Sequence, residues 1–224
     1  MGWQTAGKRP ALPHWTLWVR MARPGFLVVT AIGCVLGMAS AQAAGAFTSA
    51  ALACVTVVLA LMLHAAANML NDHADAINGA DAANTQGLYP FTGGSRMVQT
   101  GQVDAQDMHR VAWVLLTLVA VAGVWLAART GWALLGLGLV GMALGWVYSM
   151  PPLALMARGL GEVAVGLAWG LVVVGADYVQ RGQFSWQAAA VAAGFAALVA
   201  NILIGNGFPD APSDAAVGKR TMVV

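Results

Sequence analysis

Charge is what this sequence has least of. Lys, Arg, Asp and Glu together make up 9% of its 224 residues, against about 25% in an ordinary soluble domain. Residues of the hydrophobic set account for 59%, which leaves too little polar surface to cover a soluble sphere. A cytosolic globular enzyme, a disordered chain and a nucleic-acid binder are excluded on this ground. Cysteine is scarce as well. Cys34 and Cys54 both lie in apolar runs; they read as small core or lipid-facing residues and give no disulfide framework. A net charge of +2 is too small to argue for an anionic partner. What remains is an integral membrane protein whose helices face lipid. In that setting every acid is expensive, so the places of the nine acids become the main question.

A spanning helix needs about 20 mainly apolar residues. Phe26 to Ala44, Ala46 to Leu70, Val111 to Ala128, Trp132 to Met150 and Phe184 to Ile204 meet that requirement; the second contains only His64 and Asn68 as strongly polar side chains. The run between Glu162 and Asp177 is shorter and counts as a sixth span if those two acids sit at the interfaces. The apolar runs are continuous and do not alternate, which argues against a closed barrel. The expected fold is all-α, a polytopic transmembrane bundle of six spans in one domain over 1–224. Lys8, Arg9, Arg20 and Arg23 precede the first run, which lacks a clear cleavage site and reads as a membrane helix. Pro24 suits a first helical turn. Gly136, Gly138, Gly141 and Gly145 read as small residues that let helices approach.

With the N-terminus in the cytoplasm, Lys8, Arg9, Arg20, Arg23, Arg96, Arg110, Arg158, Lys219 and Arg220 share that side, and only Arg129 and Arg181 lie opposite. That bias fixes the orientation. It puts 71–110, 151–162 and 205–224, the three segments with polar content, on one face.

Five of the nine acids fall in two stretches, Asn68–Asp81 and Asn206–Asp214, each following an apolar span. On a helix Asp72 and Asp75 share a face, as do Asp210 and Asp214. Carboxylates so close repel unless a cation lies between them. Mg2+ binds through one or two carboxylates together with phosphate oxygens and water. The pattern therefore suggests two metal-binding edges facing one polyanionic ligand at the membrane surface; an EF-hand loop is absent. Phe91-Thr92-Gly93-Gly94-Ser95-Arg96 and Gly218-Lys219-Arg220-Thr221 add glycines, hydroxyls and bases suited to phosphate. A hydrophobic bundle with this mouth suits a substrate with a diphosphate head and an apolar tail, and the acceptor end of its pocket is expected to be apolar.

These residues resemble the UbiA superfamily of intramembrane aromatic prenyltransferases. The first signature is Asn68-Met69-Leu70-Asn71-Asp72-His73-Ala74-Asp75, continuing to Gly79-Ala80-Asp81; the second is Asn206 followed by Asp210, Asp214 and Gly218-Lys219-Arg220-Thr221. Arg23-Pro24, Tyr148-Ser149-Met150-Pro151-Pro152 and Arg158-Gly159-Leu160-Gly161-Glu162 also look like family segments. The matches run in order from about residue 20 to the last residue. The form of the first motif and the Arg-Gly-Leu-Gly-Glu stretch look most like 1,4-dihydroxy-2-naphthoate prenyltransferases of menaquinone synthesis. Gly207 and Pro209 stand where a second Asn and an Arg are common, and Pro212 requires a helix to start close to Asp210 if Asp210 and Asp214 are to share a face.

The resemblance implies a nine-span fold of which this chain carries six, apparently truncated at the C-terminus. It implies an Mg2+-dependent transfer from a polyprenyl diphosphate to an aromatic acceptor within membrane lipid, at the cytoplasmic side of the inner membrane. Asp72, Asp75 and Asp81 would hold one Mg2+, and Asp210 and Asp214 a second, these acids being the catalytic set. Asn68, Asn71 and Asn206 support them. Arg96, Lys219 and Arg23 bind the diphosphate. Tyr148 borders the acceptor or anchors at the interface, and Glu162 with Arg158 shapes the cap loop or forms a salt bridge. Other readings are transfer to another aromatic such as 4-hydroxybenzoate, an inactive truncated member, a CDP-alcohol phosphotransferase, whose continuous signature is absent, and a transporter.

Overall fold

The computed structural model describes residues 14–80, 84 and 94–224. Its regular structure is helical. α1 (His14–Met21) is followed by α2 (Pro24–Ala43), α3 (Ala50–Asn78), α4 (Ala105–Thr130), α5 (Ala133–Ser149), α6 (Gly161–Arg181) and α7 (Trp186–Ala216), with one 3-10 turn at Leu155–Ala157. Among the described residues the sole β feature is an isolated bridge between Arg158 and Arg220.

Local chemistry starts and stops these helices. Ser49, Asp104 and Ser185 cap α3, α4 and α7, their side chains accepting from Leu52 N, Gln106 N and Ala188 N. Pro24 opens α2, and Gly79 and Gly182 close α3 and α6 at positive φ. Among the described residues five helices are long and apolar enough to cross a membrane. α5, at 17 residues, is apolar but shorter, so the count of six spans is approximate.

α3 and α7 run further than their apolar stretches, to Asn78 and Ala216, and so both acid-rich stretches begin on helix. α7 does not restart near Asp210. It continues through Pro209 and Pro212, each of which removes one ladder bond. Asp210 and Asp214 share a face because the helix is unbroken, which corrects the expected start.

α6 is the most enclosed span and packs broadly against α2 and α7. Gly37 on α2 makes this fit possible: a Cβ there would meet the Val173 carbonyl and Ala176 of α6. On the other side α3 packs on α4 around Met69, Leu70, Met108, Ala112 and Leu116, with Met21 and Met97 joining the cluster. Of the α5 glycines, Gly141 and Gly145 face Leu63 and Ala67 of α3, whereas Gly136 and Gly138 meet nothing; the packing reading holds for the first two only. Trp15, Trp18, Trp125, Trp132 and Trp186 are exposed, as anchors at a membrane boundary would be. Cys34 is buried and Cys54 exposed, both free thiols.

At the far end of α6 the backbone turns are locked by a satisfied polar knot. Asp177 accepts two bonds from Arg181 and one from Ser185, each at 3.0 Å. Gln180 Oε1 accepts from Thr48 N and Ser49 N. Asp177 is thus buried, near the C-terminal end of its span. A second polar cluster lies at the opposite end of the helix, around Glu162.

Candidate active site

His64, Asn68, Asn71 and Asp75 recur on α3 at helical steps and share one face. All four line a cavity of about 490 Å3. Asn206, Asp210 and Asp214 reach the same cavity from α7. Apolar side chains of α2, α5 and α6 form most of the remaining wall.

The two helices meet at Lys219. Its Nζ lies 3.0 Å from Asp75 Oδ1 and 3.0 Å from Asp214 Oδ1. The chain after α7 holds it there, since Lys219 N donates to Asp214 O at 2.9 Å and Arg220 N to Ala157 O at 3.1 Å. Burial works against the ammonium, but Asp75 and Asp214 outweigh it and raise the Lys219 pKa. Asn71 Nδ2 donates to Asp75 Oδ2 at 3.1 Å, and Asn78 Nδ2 shares Oδ1 with Lys219 at 3.2 Å.

Asp72 has different partners. It is 2% exposed, accepts from Ser95 N at 3.1 Å and pairs with Arg23 Nη1 at 3.5 Å. The same Arg23 nitrogen donates to Asn71 Oδ1 at 3.3 Å. Arg23 adopts φ 55° between α1 and α2, a left-handed conformation that costs a non-glycine residue roughly 1 kcal/mol or more. Asn68 Nδ2 fixes this corner by donating to Ala22 O at 3.0 Å. Asp210 accepts from Asn84 Nδ2 at 2.7 Å, and Arg96 Nη1 donates to Asn84 O at 3.1 Å.

Among the described residues no three His, Cys, Asp or Glu side chains converge as a ready-made metal cage. The Asp75–Lys219–Asp214 arrangement nevertheless closes two carboxylates, from two helices, on a single positive charge. The ammonium is a stand-in for a cation there. Mg2+ needs only one or two carboxylates when phosphate oxygens and water complete its shell, so the donor set fits that ion.

The profile of the UbiA prenyltransferase family matches residues 23–224. The chain belongs to that family. Over 209 residues it is 31% identical to the 1,4-dihydroxy-2-naphthoate octaprenyltransferase of Mycobacterium tuberculosis, covering 92% of this chain and 68% of that protein. The Bacillus subtilis protein of the same name is 27% identical over 165 residues, or 73% of this chain and 51% of the relative. The fold matches the structure of a UbiA homolog from Archaeoglobus fulgidus bound to DMAPP and Mg2+, with TM-score 0.62, 18% identity, 92% coverage of this chain and 68% of that one.

Within this family member, the structure brings Arg23, Asn71, Asp72 and Asp75 together with Asp214 and Lys219, while Asn68 braces the corner and Asn206 lines the cavity. Arg96 reaches the cluster only through Asn84. Asp81 and Phe91 to Gly93 lie outside the described residues. Tyr148 lines the cavity rather than anchoring at a lipid interface. His73 points neither into the site nor into solvent: it is buried, its Nδ1 sits 2.8 Å from Ala105 O, and it stacks on His109 at 4.5 Å. Glu162 and Arg158 form no ion pair. Arg158 donates to Pro152 O, and Glu162 lines the cavity. Sequence reasoning missed Asn84, which belongs to no spaced motif, and the Ser95 backbone N–H, which no side-chain pattern reveals.

Proposed function

We propose that this chain transfers a polyprenyl group from an allylic diphosphate to an aromatic acceptor, 1,4-dihydroxy-2-naphthoate, in menaquinone biosynthesis. The carrying observation is the closure of Asp75 and Asp214 on one cation, Lys219 Nζ, at the mouth of a largely apolar cavity. Such a mouth suits a charged head, and the cavity an isoprenoid tail. The named relatives supply the acceptor, and the Archaeoglobus homolog supplies Mg2+ and a prenyl diphosphate as its ligands.

Asp72, Asp75, Asp210 and Asp214 would hold Mg2+, with Asp81 completing the first motif. Bound there, the metal would neutralise charge on the departing diphosphate. Lys219, held positive by its carboxylate neighbours, and Arg23, spread between Asn71 and Asp72, supply fixed positive charge where the leaving group gains negative charge. Arg96 orients Asn84, and through it Asp210. The apolar wall keeps water from the allylic carbon while its C–O bond opens. We place the mouth on the cytoplasmic side of the inner membrane, where the lysine and arginine bias puts it.

The test is Mg2+-dependent transfer of labelled prenyl groups in membranes, with 1,4-dihydroxy-2-naphthoate and 4-hydroxybenzoate as competing acceptors and diphosphates of several chain lengths. Transfer to the naphthoate, lost with EDTA and in Asp75→Asn and Asp214→Asn, is expected. Full activity in Asp72→Ala and Asp210→Ala would sink the role of the carboxylates.

A further inference from the structure

Three partners converge on the amide of Asn71, and one of them, Met156, lies outside both acid-rich stretches. Asn71 Oδ1 accepts from Arg23 Nη1 at 3.3 Å. Asn71 Nδ2 donates to Asp75 Oδ2 at 3.1 Å and to Met156 Sδ at 3.1 Å. A guanidinium only donates, whereas an ionised carboxylate and a thioether only accept. These partners admit one orientation of the amide, oxygen toward Arg23 and nitrogen toward Asp75 and Met156. The flipped amide would set its oxygen against two acceptors. Asn71 and Met156 both line the cavity.

The sulfur is held in place from outside α3. Met156 is the middle residue of the 3-10 turn Leu155–Ala157 and is 5% exposed. Ala154 leads into that turn at φ 42°, a left-handed conformation. A Cβ on Gly161, the first residue of α6, would lie 3.2 Å from Met156 Cα, so the turn sits tightly on the helix start. Ala157 O accepts from Arg220 N at 3.1 Å, one residue beyond Lys219. The turn is thereby joined to α3 through the Met156 side chain and to the segment carrying Lys219 through its backbone.

Asp75 and Met156 are not equivalent acceptors. A hard cation such as Mg2+ takes oxygen ligands and leaves thioether sulfur alone. Lys219 already occupies Asp75 Oδ1. A cation that claims Oδ2 as well leaves the sulfur as the acceptor still holding Asn71 Nδ2. We propose that Met156 is a positioning residue for the diphosphate–Mg2+ site: its thioether pins Asn71 Nδ2, so that the amide oxygen stays turned toward the cationic groups while Asp75 serves the metal. This inference rests on the prenyl-transfer reading above and adds to its site a residue that neither acid-rich stretch contains.

Packing and positioning predict opposite orders for two substitutions. Leu conserves the volume of Met and offers no acceptor. Gln packs poorly in an apolar contact but supplies a carbonyl oxygen. Calorimetry on the detergent-solubilised chain would measure the affinity of a non-hydrolysable geranyl thiodiphosphate with Mg2+, beside melting temperatures without Mg2+. The expected result is a roughly three- to tenfold loss of affinity in Met156→Leu, largely restored in Met156→Gln, although Met156→Leu melts no lower than Met156→Gln. Because Met156 acts through Asn71, Met156→Leu should cost nothing further in an Asn71→Ala background. Wild-type affinity in Met156→Leu overturns the positioning role and leaves the transferase reading intact. So does Met156→Gln binding no more tightly than Met156→Leu, or an undiminished cost of Met156→Leu in Asn71→Ala. A wild-type chain that binds no thiodiphosphate with Mg2+ defeats the transferase reading, and the positioning role with it.

Discussion

Lys219 Nζ stands 3.0 Å from Asp75 Oδ1 across 144 residues of chain. This bond, with its twin to Asp214, ties the segment after α7 to α3 and gives two acids a shared counter-charge without a metal. Lys219→Met leaves both carboxylates facing each other in a site where the lysine side chain is only 11% exposed. Removing one partner of such a buried pair costs about 3 kcal/mol. Mg2+ should recover part of that loss by taking the vacated position, raising the melting temperature of Lys219→Met more than that of wild type. Equal responses to Mg2+ would show that no cation site lies between Asp75 and Asp214. The pH dependence follows from the raised pKa of Lys219. Its contribution is complete below the free-lysine value of 10.5 and is lost only as pH climbs through the higher folded value. The lysine's own contribution should therefore be constant between about pH 6 and 9, and a slope over that range in the stability gap between wild type and Lys219→Met reports Asp214, whose pKa burial and Asp75 raise and only Lys219 lowers.

Arg23 offers a test that separates backbone from side chain. Arg23→Ala keeps the left-handed φ of 55° and removes the guanidinium from Asp72 and Asn71. A hydrogen bond to a charged group contributes about 2 kcal/mol, so Arg23→Ala should melt earlier and bind diphosphate more weakly. Arg23→Gly removes the same contacts but fits that φ at no steric cost. It should be more stable than Arg23→Ala by about 1 kcal/mol while binding diphosphate equally poorly. Equal stability of the two would show that the left-handed corner stores no strain.

Asp177 provides the contrast at the other end of α6. It is 1% exposed and held by Arg181 and Ser185. Asp177→Asn keeps the shape but leaves the Arg181 charge without its carboxylate, at a cost of about 3 kcal/mol. Affinity for the diphosphate head should not change, because the polar cluster lies beyond the other end of the helix, with Gly161 already 16 residues and roughly 24 Å of helix away. A selective loss of ligand affinity in this variant would mean that the two ends of the bundle are coupled.

The membrane class and the clustering of the candidate site acids were legible in the sequence because charge is so sparse. In a span where every acid is expensive, Asp72, Asp75, Asp210 and Asp214 stand out at helical spacing; Asp75, Asp210 and Asp214 line one cavity, and Asp72 lies beside it through Arg23. Their pairing was not legible. Spacing along a helix put Asp72 with Asp75, but Asp72 turns to Arg23 and Ser95 while Asp75 faces Asp214 through Lys219. That partition depends on how α3, α7 and the tail meet, which no local pattern encodes. The prolines misled for a related reason: Pro209 and Pro212 argue locally for a helix break, yet packing carries α7 through both.

Gly207 decides how the tail reaches the site. A Cβ at this position would lie 2.9 Å from Val223 Cγ2, so any side chain at 207 forces Val223 to shift. Val223 follows Lys219 by four residues, and displacing it pulls on the segment that holds the ammonium between Asp75 and Asp214. Gly207→Asn therefore should weaken diphosphate binding by roughly tenfold, as expected for a mispositioned charged contact, and lower the melting temperature through overpacking of about 1–3 kcal/mol. Gly205, one turn-half away on the same helix, meets nothing within 4 Å. Gly205→Ala should leave binding intact and stabilise α7 by up to about 1 kcal/mol through helix propensity. If Gly205→Ala and Gly207→Asn affect diphosphate binding alike, the tail is not what holds Lys219 in place.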